Sequence, residues 1–198
     1  RNPTLKVSLG GGVNTQTTFK DFNTYNGGKL DFLGFDDGTR ALPEAVISAG
    51  LENATPIYKD GLYKSDEAKL GTGFINNFNL RTTKAKPATS FQIEGGNYKK
   101  FLKPNSGIGF IAMVSHSTNF QIKEGTSRFI NAQNQLQYDF DTRKESFSTS
   151  STGLASILYD VNAKTNFSLN YLFINNSDDE TMQTWGYHRD FGEDKGLY

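Results

Sequence analysis

The chain has 198 residues and balances 21 Lys and Arg against 21 Asp and Glu, so its formal net charge is zero. The absence of a basic excess argues against a nucleic-acid partner. The absence of cysteine excludes a disulfide scaffold and thiol chemistry. No run of about 18 apolar residues predicts a transmembrane helix, and neither an initiating Met nor a signal peptide is present, so we expect a processed or excised segment.

Aromatic and small residues dominate the composition, with 16 Phe and 9 Tyr beside 20 Gly. Aromatic residues favour strands over helices. A mean hydropathy of −0.56 does not separate a soluble β-protein from a membrane barrel, because only alternate residues of a barrel strand face lipid. The pattern of alternation has to distinguish them.

Alternating apolar and polar residues predict five strands, at residues 4–9, 89–94, 107–117, 135–161 and 166–173. Strand-like sequence extends from the first of these to Phe19. In the fourth segment, apolar residues occupy even positions up to Phe140 and odd positions from Ala155. This change of parity predicts a bulge or break within residues 142–152.

The connections between the strands alternate in length. About ten residues around 98–106 join the second and third strands, and residues 162–165 join the fourth and fifth. By contrast, residues 21–87 separate the first two strands, and a tail follows the fifth, where Asp178 and its neighbours are expected on a solvated rim. Short turns at one end and long loops at the other are typical of outer-membrane barrels. The long connection is predicted to contain short helices at residues 42–50 and 65–71.

The most specific stretch, residues 31–43, reads DFLGFDDGTRALP and is called here the signature loop. Gly34 and Gly38 allow positive φ, and Pro43 suits a first helical turn. We predict an ordered loop in which Arg40 pairs with a nearby acid and large apolar side chains are shielded. The predicted partners of Arg40 are Asp36 and Asp37. The residues expected to be shielded are Phe32, Leu33 and Phe35. A weaker alternative is a cation site formed by Asp31, Asp36 and Asp37, although their spacing differs from that of known calcium loops.

This stretch resembles the signature that follows the first barrel strand in TonB-dependent outer-membrane receptors of the Bacteroidetes type. The resemblance implies an all-β fold: an antiparallel up-and-down transmembrane β-barrel segment of about five strands, with long extracellular loops that contain short helices. Residues 1–198 would then form part of the barrel, without the plug and the remaining strands.

The resemblance further implies the outer membrane of a Gram-negative bacterium as the location. There the receptor would import a scarce or large nutrient, such as an iron chelate, cobalamin or a glycan. Implied partners are outer-membrane lipid, TonB with its inner-membrane complex through the missing plug, and a surface lipoprotein.

The sequence offers no catalytic constellation, and we predict no enzyme activity, cofactor or metal. Its two histidines, His116 and His188, lie far apart in the sequence. The hypothesis for ligand contact rests on one aromatic and charged cluster, namely Trp185, Tyr187, His188 and Arg189. A soluble β-rich carbohydrate- or ligand-binding module remains the alternative function. A small complete porin is disfavoured because five strands is an odd number.

Overall fold

The computed structural model describes residues 3–48, 58–59, 62–63, 71–74 and 79–190, and its regular structure there is almost entirely antiparallel β-sheet. None of its helices in these ranges has the length and apolar character to cross a membrane. The strands are β1 (Thr4–Gly12), β2 (Asp21–Thr24), β3 (Tyr58–Lys59), β4 (Leu62–Tyr63), β5 (Arg81–Lys84), β6 (Ala88–Lys100), β7 (Gly107–Ile130), β8 (Leu136–Asn162) and β9 (Thr165–His188).

The main sheet has five strands in the order β1-β6-β7-β8-β9, every neighbouring pair antiparallel. The predicted sequential pairing of strands is therefore confirmed. The last two strands pair across the short turn between Asn162 and Thr165, as expected. Residues 101–106 join β6 to β7, and residues 131–135 join β7 to β8.

Strands β7 and β9 are much longer than the sequence predicted, whereas β8 has nearly its predicted bounds. Strand β7 continues to Ile130 and β9 to His188. Asp178 and its neighbours, expected on a rim loop, therefore lie inside β9. Conversely, β1 ends at Gly12 rather than near Phe19. The extensions are rich in Ser, Thr and Asn, and their backbone groups are satisfied by ladder hydrogen bonds to the neighbouring strands.

The predicted break within residues 142–152 is wrong, because β8 pairs without interruption with both neighbours over that range. The parity change has another cause. In the C-terminal half of β8, odd-numbered residues such as Ile157 point to an apolar face. Near the start of the strand, Tyr138 and Phe140 instead form an aromatic group on the opposite face. The apolar side of the strand changes while the backbone continues.

The connection between β1 and β6 folds back onto the long strands. Strands β2 and β5 pair with each other, and Phe22 of β2 is only 2% exposed against the main sheet. The helix predicted at residues 42–50 is present as α1 (Glu44–Ser48). Most of the second predicted helix, at residues 65–71, lies outside the described residues. Residues 13–48 and 79–87 are called here the covering segment.

Candidate functional site

One face of the main sheet carries a broad band of exposed apolar side chains. Residues paired directly across an antiparallel sheet point to the same face, and Leu169, Ile157 and Phe110 form one such row. Leu169 is 70% exposed. The apolar band consists of Leu5, Val7, Leu9, Phe91, Ile93, Ile108, Phe110, Val114, Ile157, Tyr159, Phe167, Leu169, Tyr171 and Phe173.

The band runs obliquely across the rows of paired residues. In one row, Leu9 and Phe91 are still apolar, whereas their counterparts His116, Ser151 and Asn175 on β7, β8 and β9 are already polar. At the other edge, β6 turns polar while its neighbours stay apolar: Asn97 pairs with Phe110, and Lys99 with Ile108. A flat apolar layer that crosses tilted strands produces such a shift.

The opposite face of the same strands is largely polar. Lys6 forms a salt bridge of 3.2 Å with Glu94, and Ser156 donates a hydrogen bond of 2.6 Å to Asn170. Tyr98 donates a 2.6 Å hydrogen bond to Asp160 on this side. The exposed apolar residues Ile111, Leu158, Leu172 and Ile174 are scattered among these polar groups. The two faces of the sheet therefore differ in chemistry.

Beyond the apolar band, on the side away from the β8–β9 turn and called here the upper side, the covering segment packs against the same face of the sheet. Phe22 meets Phe120 edge to face at 5.2 Å, and Phe120 lies 4.6 Å from Phe147, measured between ring centroids. The amide of Ile122 donates a 3.1 Å hydrogen bond to the hydroxyl of buried Thr17. This face is thus divided into a lower exposed apolar zone and an upper zone covered by the chain itself.

The signature loop lies at the boundary between these zones. It opens with a 3-10 turn at Asp31–Leu33 and continues through Gly34, whose φ is 78°. The hydroxyl of Ser151 donates a hydrogen bond to the Leu33 carbonyl at 3.3 Å, and the side-chain amide of Asn175 donates one to the Gly34 carbonyl at 2.7 Å. Both donors belong to the first polar row above the band.

Arg40 is paired, but not with the predicted acids. Its Nη2 lies 2.5 Å from Asp31 and 3.8 Å from Asp179 on β9, and its guanidinium sits over the Tyr25 ring at 5.9 Å. The Tyr25 hydroxyl donates to Asp179 at 2.9 Å. The expected pairing with Asp36 or Asp37 is therefore wrong. The arginine instead connects the loop to the long strands β7, β8 and β9, called here the wall.

Asp36 and Asp37 are occupied by the backbone of the loop itself. Asp36 accepts a hydrogen bond from the Gly38 amide at 3.1 Å, and Asp37 accepts from the Lys29 amide at 2.7 Å and from both the hydroxyl and the amide of Thr39. The hydrogen bond from the Thr39 hydroxyl is the main cause that lowers the pKa of Asp37. The carboxylates of Asp36 and Asp37 therefore accept hydrogen bonds from the turn itself and do not pair with Arg40.

Burial changes the protonation chemistry at the contact between loop and wall. Desolvation is the main cause that raises the pKa of Asp179. It also raises the pKa of Tyr25 to about 12, with a further contribution from the hydrogen bond to Asp179. Both shifts favour the neutral form, as expected where a titratable group leaves water.

The apolar residues of the loop are not shielded as predicted. Phe32 is 57% exposed, Phe35 is also exposed, and only Leu33 is half-buried. The Phe35 ring stacks on Phe173 at 6.2 Å between centroids. Phe35 thereby joins the apolar band instead of packing beneath the loop. Pro43 accepts the first hydrogen bond of helix α1, from Val46 at 2.9 Å.

The predicted ligand cluster is divided between the two faces of the sheet. Trp185 and Tyr187 alternate with His188 along β9, so His188 points to the other side. There its ring is nearly parallel to Tyr138 at 6.5 Å. Arg189 follows the strand and donates to Gln135 at 3.1 Å. These four residues lie at one end of the wall but do not form one site.

The described residues contain no group of three or more His, Asp or Glu side chains arranged to hold a metal ion. Sequence reasoning missed Tyr25, Ser151 and Asn175, which hold the signature loop in place. No family model, curated protein or solved structure matches the chain. The evidence for function is therefore the chemistry of the two faces and of the loop between them.

Proposed function

We propose that this chain forms part of the wall of a transmembrane β-barrel that transports a solute across the bacterial outer membrane. The oblique apolar band carries the proposal. A side chain as exposed as Leu169 is costly in water when it belongs to a patch this large. The same patch is stable against lipid, with the polar face turned to the lumen.

The edges of the band support lipid as its partner. Between Phe167 and Phe173, strand β9 rises about 20 Å at ~3.3 Å per residue, which a strand tilt of roughly 40° reduces to about 15 Å along the membrane normal, within the ~25 Å apolar belt of outer-membrane barrels. Aromatic residues occupy both of these ends, and Phe101 lies 6.4 Å from Tyr159 near the short turns. Aromatic rings at the two edges are typical of membrane–water interfaces.

The open edges of the sheet support a larger assembly. Within the described residues, β1 and β9 each pair on one side only. Unpaired backbone groups are costly in lipid, so membrane strands occur in closed barrels. Further strands therefore have to pair with β1 and β9 in the functional protein.

The signature loop adds the more specific part of the proposal, a TonB-dependent receptor of the Bacteroidetes type. In this role the protein would import a scarce or large nutrient, with TonB acting through a plug and a surface lipoprotein as a further partner. Trp185, Tyr187, His188 and Arg189 lie at the end of the strands but on both faces of the sheet, so we propose only His188, on the polar face, as a contact for a ligand in the lumen. The role requires no catalytic residue and no cofactor.

Cysteine labelling tests the orientation of the wall, because the chain has no native cysteine. Single cysteines at Leu169 and Ile157 should react with a lipid-soluble maleimide in reconstituted vesicles. Cysteines at Ser168 and Ser156, on the opposite face, should react with a water-soluble reagent instead. Equal water-soluble labelling on both faces would contradict the membrane proposal.

A soluble β-rich ligand-binding module is the second candidate. It is favoured by one observation, the aromatic group at the ends of the long strands, where Tyr138 and Phe140 stack at 5.4 Å between centroids. Such rings suit a carbohydrate ligand. A monodisperse protein without detergent, with its apolar band covered in an oligomer, would favour this candidate.

A further inference from the structure

A cleft of about 300 Å³ lies between the covering segment and the wall of long strands, on the same face as the apolar band. Its apolar lining consists of Phe22, Phe32, Phe120 and Phe147, and three cations line it as well: Arg81, Lys84 and Lys86. The cleft therefore combines an aromatic surface with positive charge.

Two of the three cations are not neutralised. Lys84 forms a salt bridge of 2.6 Å with Asp21, but no described residue forms an ion pair with Arg81 or Lys86, and both are exposed.

The carboxylates that line the cleft are already engaged. Asp31 is paired with Arg40, and Asp179 accepts a hydrogen bond from Tyr25. At Arg81 and Lys86, positive charge therefore remains without an ion-pair partner among the described residues.

The cleft lies a short distance above the apolar band. Phe91 pairs with His116, and Phe120 is four residues further along β7, which is about 13 Å along the strand at ~3.3 Å per residue. A strand tilt of roughly 40° reduces this to about 10 Å along the membrane normal. The polar headgroup layer begins at the edge of the hydrocarbon, and long Lys and Arg side chains reach towards it.

Resting on the proposed membrane orientation, we propose that this cleft binds the phosphorylated headgroup of an anionic lipid of the outer leaflet. Arg81 offers a planar pair of donors suited to phosphate, and Lys86 adds a point charge. The aromatic side chains of the cleft pack against the glycerol or sugar part of the headgroup. Charge complementarity and continuity with the apolar band identify the ligand.

The test replaces the two free cations with Arg81→Gln and Lys86→Gln in one protein. The charge-matched control is Lys123→Gln with Lys144→Gln, two lysines opposite each other in the register of β7 and β8 on the other face, where Lys144 forms a 2.8 Å salt bridge with Glu180. Each pair of substitutions is made in the closed barrel that includes the further strands, this protein is reconstituted in an equimolar mixture of phosphatidylcholine and phosphatidylglycerol, and retained lipid is measured by native mass spectrometry. Each lost cation should weaken anionic-lipid retention about fivefold, whereas the control should retain as much as the wild type.

Two further arms decide the outcome. Inorganic phosphate at millimolar concentration should not displace the lipid; full displacement would identify a soluble anion site and overturn the assignment. Insertion into pure phosphatidylcholine vesicles separates the two proposals. Normal insertion with no preference for anionic lipid would refute only the cleft, while failure to insert would refute the membrane orientation and the cleft with it.

Discussion

Replacing Gly34 by Ala adds one methyl group where the signature loop touches the wall, and Gly38→Ala adds the same group to open space. Both glycines have positive φ, 78° and 83°, so each substitution costs about 1–2 kcal/mol in backbone conformation. A Cβ at Gly34 would also overlap the hydroxyl of Thr149 and lie 3.1 Å from the side-chain nitrogen of Asn175, whereas nothing lies within 4 Å of one at Gly38. Only the first change displaces the loop.

The extra cost at Gly34 follows from the contacts that displacement breaks. The hydrogen bonds to the Leu33 and Gly34 carbonyls contribute about 1 kcal/mol each, and the stacking of Phe35 on Phe173 contributes about 0.5–1.5 kcal/mol. The sum, about 3 kcal/mol, corresponds to local opening that is roughly a hundredfold more frequent.

Native-state hydrogen exchange measures this difference at the backbone amides of Leu33 and Phe35, which both donate to the Leu30 carbonyl. We expect much faster exchange in Gly34→Ala than in Gly38→Ala. Adding Thr149→Ala to the first variant should restore part of the protection, because it removes the overlapping hydroxyl. Exchange rates that agree within about threefold between the two glycine variants would refute a loop anchored at Gly34.

Three other outcomes are expected. Leu169→Arg should lower the free energy of unfolding in vesicles by about 2–4 kcal/mol if the band faces lipid, measured by urea denaturation; Ser168→Arg on the opposite face should change it much less, and equal losses would contradict the orientation. Arg40→Ala should speed trypsin cleavage after Lys29, because the loop loses its ion pairs to Asp31 and the wall, while an unchanged rate would show that these ion pairs do not hold the loop. The folded pKa of Tyr25, about 12, exceeds the ordinary value of 10, so the contribution of neutral Tyr25 to the stability of the fold is complete below pH 10 and lost as the pH rises through 12. The anisotropy of a fluorophore attached to Thr39→Cys should fall over that interval, and the same fall in a protein that also carries Tyr25→Phe would contradict this cause.

The sequence predicted the strands that have one apolar face. Alternation identified residues 107–117 and 166–173 and their neighbours correctly. The extensions to Ile130 and His188 gave no such signal, because neither side of these strands is consistently apolar. The Ser- and Thr-rich middle of β8 is held by ladder hydrogen bonds to both neighbours, which leave no periodic trace in the side chains.

The partners of Arg40 could be predicted only in part from the sequence of the signature loop. Asp31 lies in the loop, nine residues before Arg40, whereas Asp179 lies far away in the chain, on β9. Asp36 and Asp37 are nearer to Arg40 in sequence, but backbone amides of the turn already donate hydrogen bonds to their carboxylates. One clue was present: in β9, Asp179 shares the odd parity of Phe173 and Asn175, and so points to the face on which the loop lies.

The position of the signature loop explains why so many of its residues are constrained at once. It lies where an apolar face gives way to a polar one, so it has to match both. Phe35 extends the apolar side by stacking on Phe173, while the Leu33 and Gly34 carbonyls accept hydrogen bonds from the first polar row. A glycine is needed where the backbone comes this close to the wall. The loop thus closes the boundary between the apolar band and the part of the same face that the covering segment occupies. In the proposed transporter, substrate selection would then fall to the polar face and to the strand ends.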